Sequence, residues 1–421
     1  MSSAVKVLVL GYVWPEPNSS AAGRHMLSLL HSFLAQQWQV TFASPALQGE
    51  HKIDLSELGI KEQHVALNCE SFDQFITELQ PNIVLFDRFM LEEQFGWRVA
   101  KYCPNALRIL DTEDLHSLRQ ARHTALKQLR ELSIVDLNSE LAKREIAAIF
   151  RCDLSLIISQ FEYQLLQQHY QVPAALLLHC PFMLDLSQID PKPQGFEQRQ
   201  HFISIGNFRH EPNWDAVLWL KQSIWPLIRE LLPQAELHIY GAYPPPKATQ
   251  LHNPRQGFLI KGWAKDANQV MSQARVCIAP LRFGAGLKGK LVEAMLCGTP
   301  SVTTCVGMEG MGSANTQQWP GLVSEFCVTE QESCAANIAS QAVSLYQDQQ
   351  NWQNAQAQAP TWLAEYFDAK PLRAKLVARI AHIADNLAEH RDANFIGLML
   401  QHHQFKSTQY MAQWVEAKNR R

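Results

Sequence analysis

The sequence predicts an α/β protein: two doubly wound, Rossmann-like parallel-sheet domains followed by a helical tail. Three observations lead there. The chain has 421 residues, beyond the size at which a single hydrophobic core keeps growing. Short apolar runs ending in glycine or a carboxylate alternate with segments of helical period, the pattern of parallel strands and crossover helices. That alternation halts in a stretch carrying prolines and a glycine, residues 185–199, and then starts again.

Composition narrows the function classes. The chain is 47% hydrophobic and 18% charged, with a formal net charge of -3, which argues against nucleic-acid binding driven by bulk electrostatics. Nine cysteines are scattered with no C-x-x-C pair, as expected for free thiols in a reducing compartment. Sixteen histidines are also dispersed; no Cys/His cluster has metal-ligand spacing, so neither a metal nor a cofactor is expected. The adjacent His402 and His403 read as surface residues. The start of the chain runs from Met1-Ser-Ser into an apolar strand without a signal-peptide pattern, and no apolar run approaches a membrane span. The expected location is cytoplasmic, with peripheral contact at the inner face of the cell membrane left open.

In the first domain, residues 1–185, Val5 to Leu10 is a buried strand ending at Gly11. A loop of small residues, Trp14 to Gly23, lets a ligand approach that strand's carboxyl end, where open α/β sheets bind. Arg24 to Gln37 is helical, with Met26, Leu29, Leu30 and Phe33 toward the core. Val40–Ala43, Val65–Leu67, Ile83–Asp87, Leu107–Asp111, Leu154–Ile158 and Leu176–Leu178 read as later strands, with helices over Phe72–Leu79 and around Glu92–Lys101. Asp111, Glu113, Asp114 and His116 cluster at a strand's carboxyl end, where sites collect; Asp114 equally suits a helix cap. The basic helical stretch bearing Arg119, Arg122, Lys127 and Arg130 reads as a membrane-facing surface or, more simply, a solvated helix face.

The second domain, residues 200–360, has strands at His201–Gly206, Leu237–Gly241 and Phe258–Gly262, a long helix over Asn213–Leu232 and another over Asp266–Gln273. The organising stretch is Val276–Val302. An apolar strand runs to Leu281; a turn with Gly284, Gly286 and Gly289 carries Lys288 and Lys290; a helix bearing Leu291, Val292, Met295 and Leu296 ends at Gly298 and Pro300. The unpaired N–H groups and dipole of that helix start, joined by two ammonium groups, suit a diphosphate, and Glu293 one turn on suits ribose hydroxyls. Gly284 to Gly289 also matches the dinucleotide fingerprint, but that motif belongs to the first strand–helix turn of its sheet, and this turn comes after at least three strand–helix units. The rival readings are a solvated helix start for the lysines and a surface carboxylate paired with Lys290 for Glu293. Residues 361–421 read as helical beyond Pro360. Trp362, Leu363, Tyr366 and Phe367 form an aromatic knot, and Phe395, Ile396, Leu398, Met399, Tyr410, Met411 and Trp414 are apolar enough to pack back on one or both domains.

Residues 200–312 resemble the retaining glycosyltransferases of family 4, which have the GT-B fold: two Rossmann-like domains facing across a cleft. The matching segments occur in the family's order: Ser204-Ile-Gly206, Pro212-Asn-Trp-Asp-Ala216, Gly284-Ala-Gly-Leu-Lys-Gly-Lys-Leu-Val-Glu-Ala294, Gly298-Thr-Pro300 and Gly307-Met-Glu-Gly310. The similarity is to bacterial sugar transferases of exopolysaccharide and cell-surface assembly. The first half matches more loosely, through its opening strand and the loop ending at Arg24.

The resemblance implies a nucleotide-sugar donor, with a UDP-sugar the first expectation, a glycan, lipid-linked or protein acceptor, and a C-terminal helix crossing back to the first domain. It makes Lys288 a diphosphate ligand supported by Lys290, Glu293 the ribose ligand, and Gly284, Ala285 and Gly286 donors of backbone N–H. Gly206 and Arg209 approach the phosphates, and Trp263 lies near the base. For Arg209 the plain alternative is a surface arginine, and for Trp263 packing is the simpler reading. Gly23, Arg24 and Asp111 fall on the acceptor side. The family's first-domain histidine corresponds to Glu113, with His116 nearby, and the first acid of its E-x7-E pair falls at Ala285, where it is absent. The rival from another class is a non-catalytic GT-B scaffold that binds a nucleotide sugar or a partner.

Overall fold

The computed structural model describes residues 4–189, 192–312 and 316–420; Met1 to Ser3 and part of the expected linker, residues 190 and 191, lie outside them. A seven-stranded parallel sheet, in the order β3-β2-β1-β4-β5-β6-β7, forms the first domain. Its strands are β1 (Lys6–Leu10), β2 (Gln39–Ser44), β3 (Lys61–His64), β4 (Ile83–Asp87), β5 (Leu107–Asp111), β6 (Leu154–Ile157) and β7 (Leu177–His179). A six-stranded parallel sheet, β10-β9-β8-β11-β12-β13, forms the second. It is built from β8 (Gln200–Ile205), β9 (Leu237–Tyr240), β10 (Phe258–Gly262), β11 (Ala274–Ala279), β12 (Ser301–Thr304) and β13 (Gly321–Ser324).

Helices cover both faces of each sheet, which is why the central strands are apolar throughout. In β1, Leu8 and Leu10 enter the core on one face and Val7 and Val9 the core on the other. In the second sheet Phe202 and Ile278 face one core, and Ile203 and Cys277 the opposite one.

Three expectations need correction, and several elements have no counterpart in the sequence reading. The third strand is Lys61–His64, not Val65–Leu67. It is a polar edge strand, so hydrophobicity draws the eye to Val65, which is buried just beyond it. Pro360 does not open the tail: it sits inside the helix Gln349–Tyr366, held by buried Trp352, Ala359, Trp362 and Leu363 against the roughly 3 kcal/mol that an interior proline costs. The helices Glu140–Arg151, Gln160–Gln168 and Gln331–Gln347, together with β13, occupy stretches that the sequence reading leaves unassigned. In the final helix, Phe395–Asn419, the apolar residues expected to pack back are exposed: Phe395 by 72%, Tyr410 by 64% and Trp414 by 60%, with Ile396, Leu398, Met399 and Met411 also outward. His402 is exposed, and the side chain of His403 lies outside the described residues.

The long helix of the second domain continues through Trp225-Pro226 because a π turn, Leu220–Ile224, precedes that proline and accommodates the hydrogen bond it cannot make. The aromatic knot forms, with Trp362 against Tyr366 at 5.0 Å and Trp319 at 5.4 Å. Directly after it the chain crosses between the domains. The Leu184 N–H donates to the Phe367 carbonyl at 2.8 Å and the Ala369 N–H to the Leu184 carbonyl at 2.9 Å. Helix Ala369–Asp385 then buries Leu376, Ile380 and Ile383 in the first domain's core. Arg391 clamps it there, with Nε and one terminal nitrogen each 2.8 Å from the Asp153 carboxylate.

Candidate functional site in the interdomain cleft

The carboxyl ends of both sheets face each other across a cavity of 1340 Å³ lined by loops of both domains. On the second-domain wall, β11 leads into the glycine turn. Gly286 has φ 61°, and a Cβ built there would lie 2.8 Å from the Asp114 Cβ of the opposite domain. Only glycine combines that left-handed backbone with so close an approach. Lys288 is the N-cap residue of helix Gly289–Leu296. Its buried ammonium donates to the Gly286 carbonyl at 2.9 Å and reaches the Glu309 carbonyl at 3.5 Å, and burial lowers its pKa. Lys290 donates to Asn213 Oδ1 at 2.8 Å, with its pKa brought down to about 8 by burial.

Gly284, Ala285, Gly286, Lys288, Lys290 and Glu293 all line the cavity, but two are engaged differently from expectation. The Gly286 N–H is not free for phosphate: it donates to Glu162 Oε1 at 2.8 Å. Glu162, from helix Gln160–Gln168 of the first domain, also accepts from the Leu115 N–H at 3.0 Å, and burial raises its pKa to about 8. No motif marks Glu162 in the sequence. Glu293 is not paired with Lys290 as its bland reading has it; its carboxylate meets the Arg24 guanidinium across the cleft. The loop before Arg24 is pressed close, since a Cβ on Gly23 would lie 2.5 Å from the Glu16 backbone.

Gly206 ends its strand against the Asn213 side chain, 2.6 Å from where its Cβ would stand. Arg209 is exposed, its guanidinium 3.7 Å from the centre of the Tyr243 ring. The Tyr243 hydroxyl in turn bonds Glu16 of the first domain at 3.0 Å. Trp263 is 39% exposed and packs across the cleft: it stacks on His51 at 4.3 Å, and its Nε1 donates to the Asn18 carbonyl at 3.2 Å.

The first-domain wall is built by strand register. Asp87 and Asp111 are paired neighbours at the ends of β4 and β5. Glu113 follows with φ 59° and lines the cavity, as His116 does. Burial lowers the His116 pKa to about 4, so its imidazole is neutral, 3.4 Å from Asp114. Asp114 is held down at about 2, against burial, by Arg119 and His116. Asp111 is completely buried beneath the floor and is not among the lining residues, which corrects its placement as a residue facing the acceptor. The carboxylate oxygens of Asp87, Asp111 and Glu113 lie within 4.8 Å of one another. His25 and Arg88 already supply positive charge there, at 3.5 Å from Asp111 and 3.7 Å from Asp87, so we read the group as an internally compensated cluster and not a metal site.

In the basic helix, His116–Lys127 with its extension, Lys127 is exposed while the arginines are paired. Arg119 pairs with Asp114 and Arg130 with Asp136. Arg122 crosses the cleft to bind Glu309 through both carboxylate oxygens, at 2.7 and 2.8 Å, and the Gly284 carbonyl at 2.8 Å. Among the described residues, no helix is long and apolar enough to cross a membrane.

With this geometry in hand, the fold is GT-B, and comparison with solved structures agrees. A glycosyltransferase from Rickettsia africae ESF-5 superposes with a TM-score of 0.63 at 14% identity, covering 91% of this chain and 100% of that one. The sucrose-phosphate synthase of Thermosynechococcus elongatus gives 0.65 at 14% over 90% and 99%. Anabaena HepE in complex with UDP-glucose gives 0.64 at 16% over 90% and 99%. At these identities the likeness carries the fold alone. Residues 199–348, most of the second domain, match the family model described as "Glycosyl transferases group 1". No curated protein matches the chain in sequence.

Proposed function

We propose that the chain is a metal-independent glycosyltransferase that moves a sugar from a nucleotide-sugar donor to a hydroxyl of a glycan, lipid-linked or protein acceptor, with retention of configuration. Its place is in cell-surface polysaccharide or glycoconjugate assembly, in the cytoplasm or at the inner face of the membrane. The observation that carries this reading is the convergence of Lys288 and Lys290 with a helix start on a cavity between two Rossmann-like domains. Glycosyl transfer needs a leaving diphosphate stabilised as its charge develops, and fixed ammonium groups and amides do that without reorganising. It also needs an acceptor hydroxyl held beside the anomeric carbon, which a two-walled cleft achieves by proximity. Lys288, joined by Arg209 swinging off Tyr243, would face the diphosphate. Glu113 and His116 would face the sugars. The match of residues 199–348 to group 1 glycosyl transferases supports the activity, and the UDP-glucose complex of HepE supports a UDP-sugar as the first donor to try.

A second reading, a non-catalytic scaffold, draws on the occupied state of the donor groups: the Gly286 N–H and Glu293 are both taken by first-domain side chains. Thermal unfolding across a panel of nucleotide sugars, followed by assay of nucleotide release with and without acceptor sugars, separates the two. Stabilisation with turnover supports the enzyme; stabilisation without release across a broad acceptor set supports the scaffold; no stabilisation by any nucleotide sugar removes the enzyme and the nucleotide-sugar-binding scaffold.

A further inference from the structure

Under the floor of the first-domain wall lie titratable groups for which the donor turn has no use. The register of β4 and β5 sets the Asp87 and Asp111 carboxylates side by side. Glu113, two residues on with a left-handed backbone, returns its carboxylate to the same place, all three within 4.8 Å. His25, from helix Ala21–Leu34, closes the group from below, with Nε2 3.5 Å from Asp111 Oδ1 and its ring edge-on to Phe182. His25, Asp87 and Asp111 are 1%, 4% and 0% exposed, and Asp87 Oδ1 and Asp111 Oδ2 are buried without a hydrogen-bond partner. Of the four, Glu113 is the one that is only partly buried; it and Asp87 line the cavity. Neighbouring carboxylates in a dry site do not all ionise; a proton or a cation must stand among them.

We propose that Asp87, Asp111, Glu113 and His25 form one proton-holding unit in which His25 and Asp87 are positioning residues that set the charge Glu113 presents to a nucleotide sugar. This deepens the glycosyltransferase reading and rests on it. Burial, then the charge of Asp111, pushes Glu113 up to about 8. Burial opposes protonation of His25, but Asp111 lifts it to about 9. The other charged groups facing Glu113 are Arg88, which favours ionisation, and Asp87, which opposes it. A neutral Glu113 can both donate to and accept from a sugar hydroxyl, and it does not repel the diphosphate. An ionised Glu113 loses the donor and adds repulsion. The donor therefore binds best with the proton in place.

The test is calorimetric titration of the full chain with UDP-glucose between pH 6.5 and 9.5. Lys290, also near 8, loses its charge in the same range. Glu162, also near 8 and bound to the Gly286 N–H, gains charge there too, so wild-type affinity should fall steeply at the alkaline end, each coupled proton being worth a factor of about ten per pH unit. Glu113→Gln should make that slope shallower by about a factor of ten per pH unit, leaving the Lys290 and Glu162 limbs. Asp87→Asn, which removes a like charge and keeps the shape, should move the Glu113 break to lower pH, and His25→Gln should move it higher. An unchanged slope in Glu113→Gln, or an unmoved break in Asp87→Asn, overturns the inference while leaving donor binding intact. A wild type that binds no nucleotide sugar at any pH overturns the proposed function and this inference together.

Discussion

Lys288→Met separates a ligand-binding lysine from a structural one by the sign of its effect. The ammonium is buried, held by two carbonyls, and burial depresses its pKa, so the empty protein bears the cost of covering a charge. Methionine has similar length and no charge. Glu309, one of the carboxylates nearest to Lys288, keeps its partner Arg122, so the substitution strands no acid there. The unfolding temperature of the nucleotide-free protein should stay level or rise. Nucleotide binding should weaken instead. A charge-assisted hydrogen bond contributes about 1.5–3 kcal/mol, and about 2 kcal/mol is a factor of roughly 30 in Kd. At a UDP-sugar concentration of about 100 Kd the wild type gains about 2.7 kcal/mol of stability by mass action; a 30-fold weaker variant gains about 0.9 kcal/mol. Turnover should fall by about 100- to 1000-fold, the usual loss on removing one electrostatic donor. Differential scanning fluorimetry with and without the nucleotide sugar reads both quantities. A variant that is destabilised when empty yet keeps the full nucleotide shift would refute the reasoning.

Gly286→Ala should cost about 1–2 kcal/mol for its left-handed backbone and force Asp114 back from a 2.8 Å approach, so donor affinity should drop more than stability; titration and chemical denaturation on the same variant show which falls further. The Arg122–Glu309 pair spans the domains with both partners partly exposed, so Arg122→Ala and Glu309→Gln should each weaken donor binding modestly, and the double variant should be less than additive by about 1 kcal/mol in a double-mutant cycle; full additivity would remove the pair's role. Stability should decline as pH rises above about 6.5 and change little between about pH 5 and 6.5, where the raised glutamates offset the lowered histidines. His25, raised to about 9 in the folded chain, stabilises fully below its unfolded value and loses that contribution as pH rises through 9, and Glu113 and Glu162, raised to about 8, act in the same alkaline direction. His116 and His210, lowered to about 4 by burial, penalise folding as pH falls below their ordinary 6.5. Chemical denaturation from pH 5 to 9 checks this, and a curve still rising at pH 9 would contradict it.

The elements legible in the sequence are those whose physics is local. β1, β4, β5 and β11 read directly because a strand covered on both faces is an unbroken apolar run. The turn at 284–289 reads because glycines, lysines and a following helix with a Gly-x-Pro stop all point to an anion. What escaped is set by tertiary pairing. Lys61–His64 is a strand because β2 offers it an edge, and nothing apolar announces it. Glu162 touches Gly286 although 124 positions separate them, and Arg122 meets Glu309 across 187. Neither pair has a spacing that sequence reasoning can test. Arg122 illustrates the limit: arginines on a helix predict a charged face, and only the facing domain decides that Arg122 is spent on Glu309. The tail packs back on the first domain, as its apolar content predicts, but through other residues: Leu400 joins that domain's core, Ala412 is buried and Glu416 pairs with Arg98, while Phe395 and Trp414 point outward.

Several of the expected donor contacts are already answered from across the cleft. Glu162 occupies the Gly286 N–H, Arg24 the Glu293 carboxylate, and His51 one face of Trp263; the Tyr243 that holds Arg209 is itself tied to Glu16. On the proposed function, a nucleotide sugar therefore binds by exchange. Its phosphate takes an amide from Glu162, its ribose competes with Arg24, and its base competes with His51. Exchange lowers net affinity, since each new hydrogen bond replaces an old one, but it sharpens discrimination. A ligand lacking the diphosphate or the ribose hydroxyls cannot complete the swap, and the groups it displaces are left buried and unpaired. The raised pKa of Glu162 fits this arrangement: a carboxyl that is largely neutral at pH 7 releases an amide to phosphate more readily than a carboxylate would. The partners displaced from the donor groups belong to the first domain, so the same exchange couples the donor's arrival to the spacing of the two walls between which the acceptor must fit.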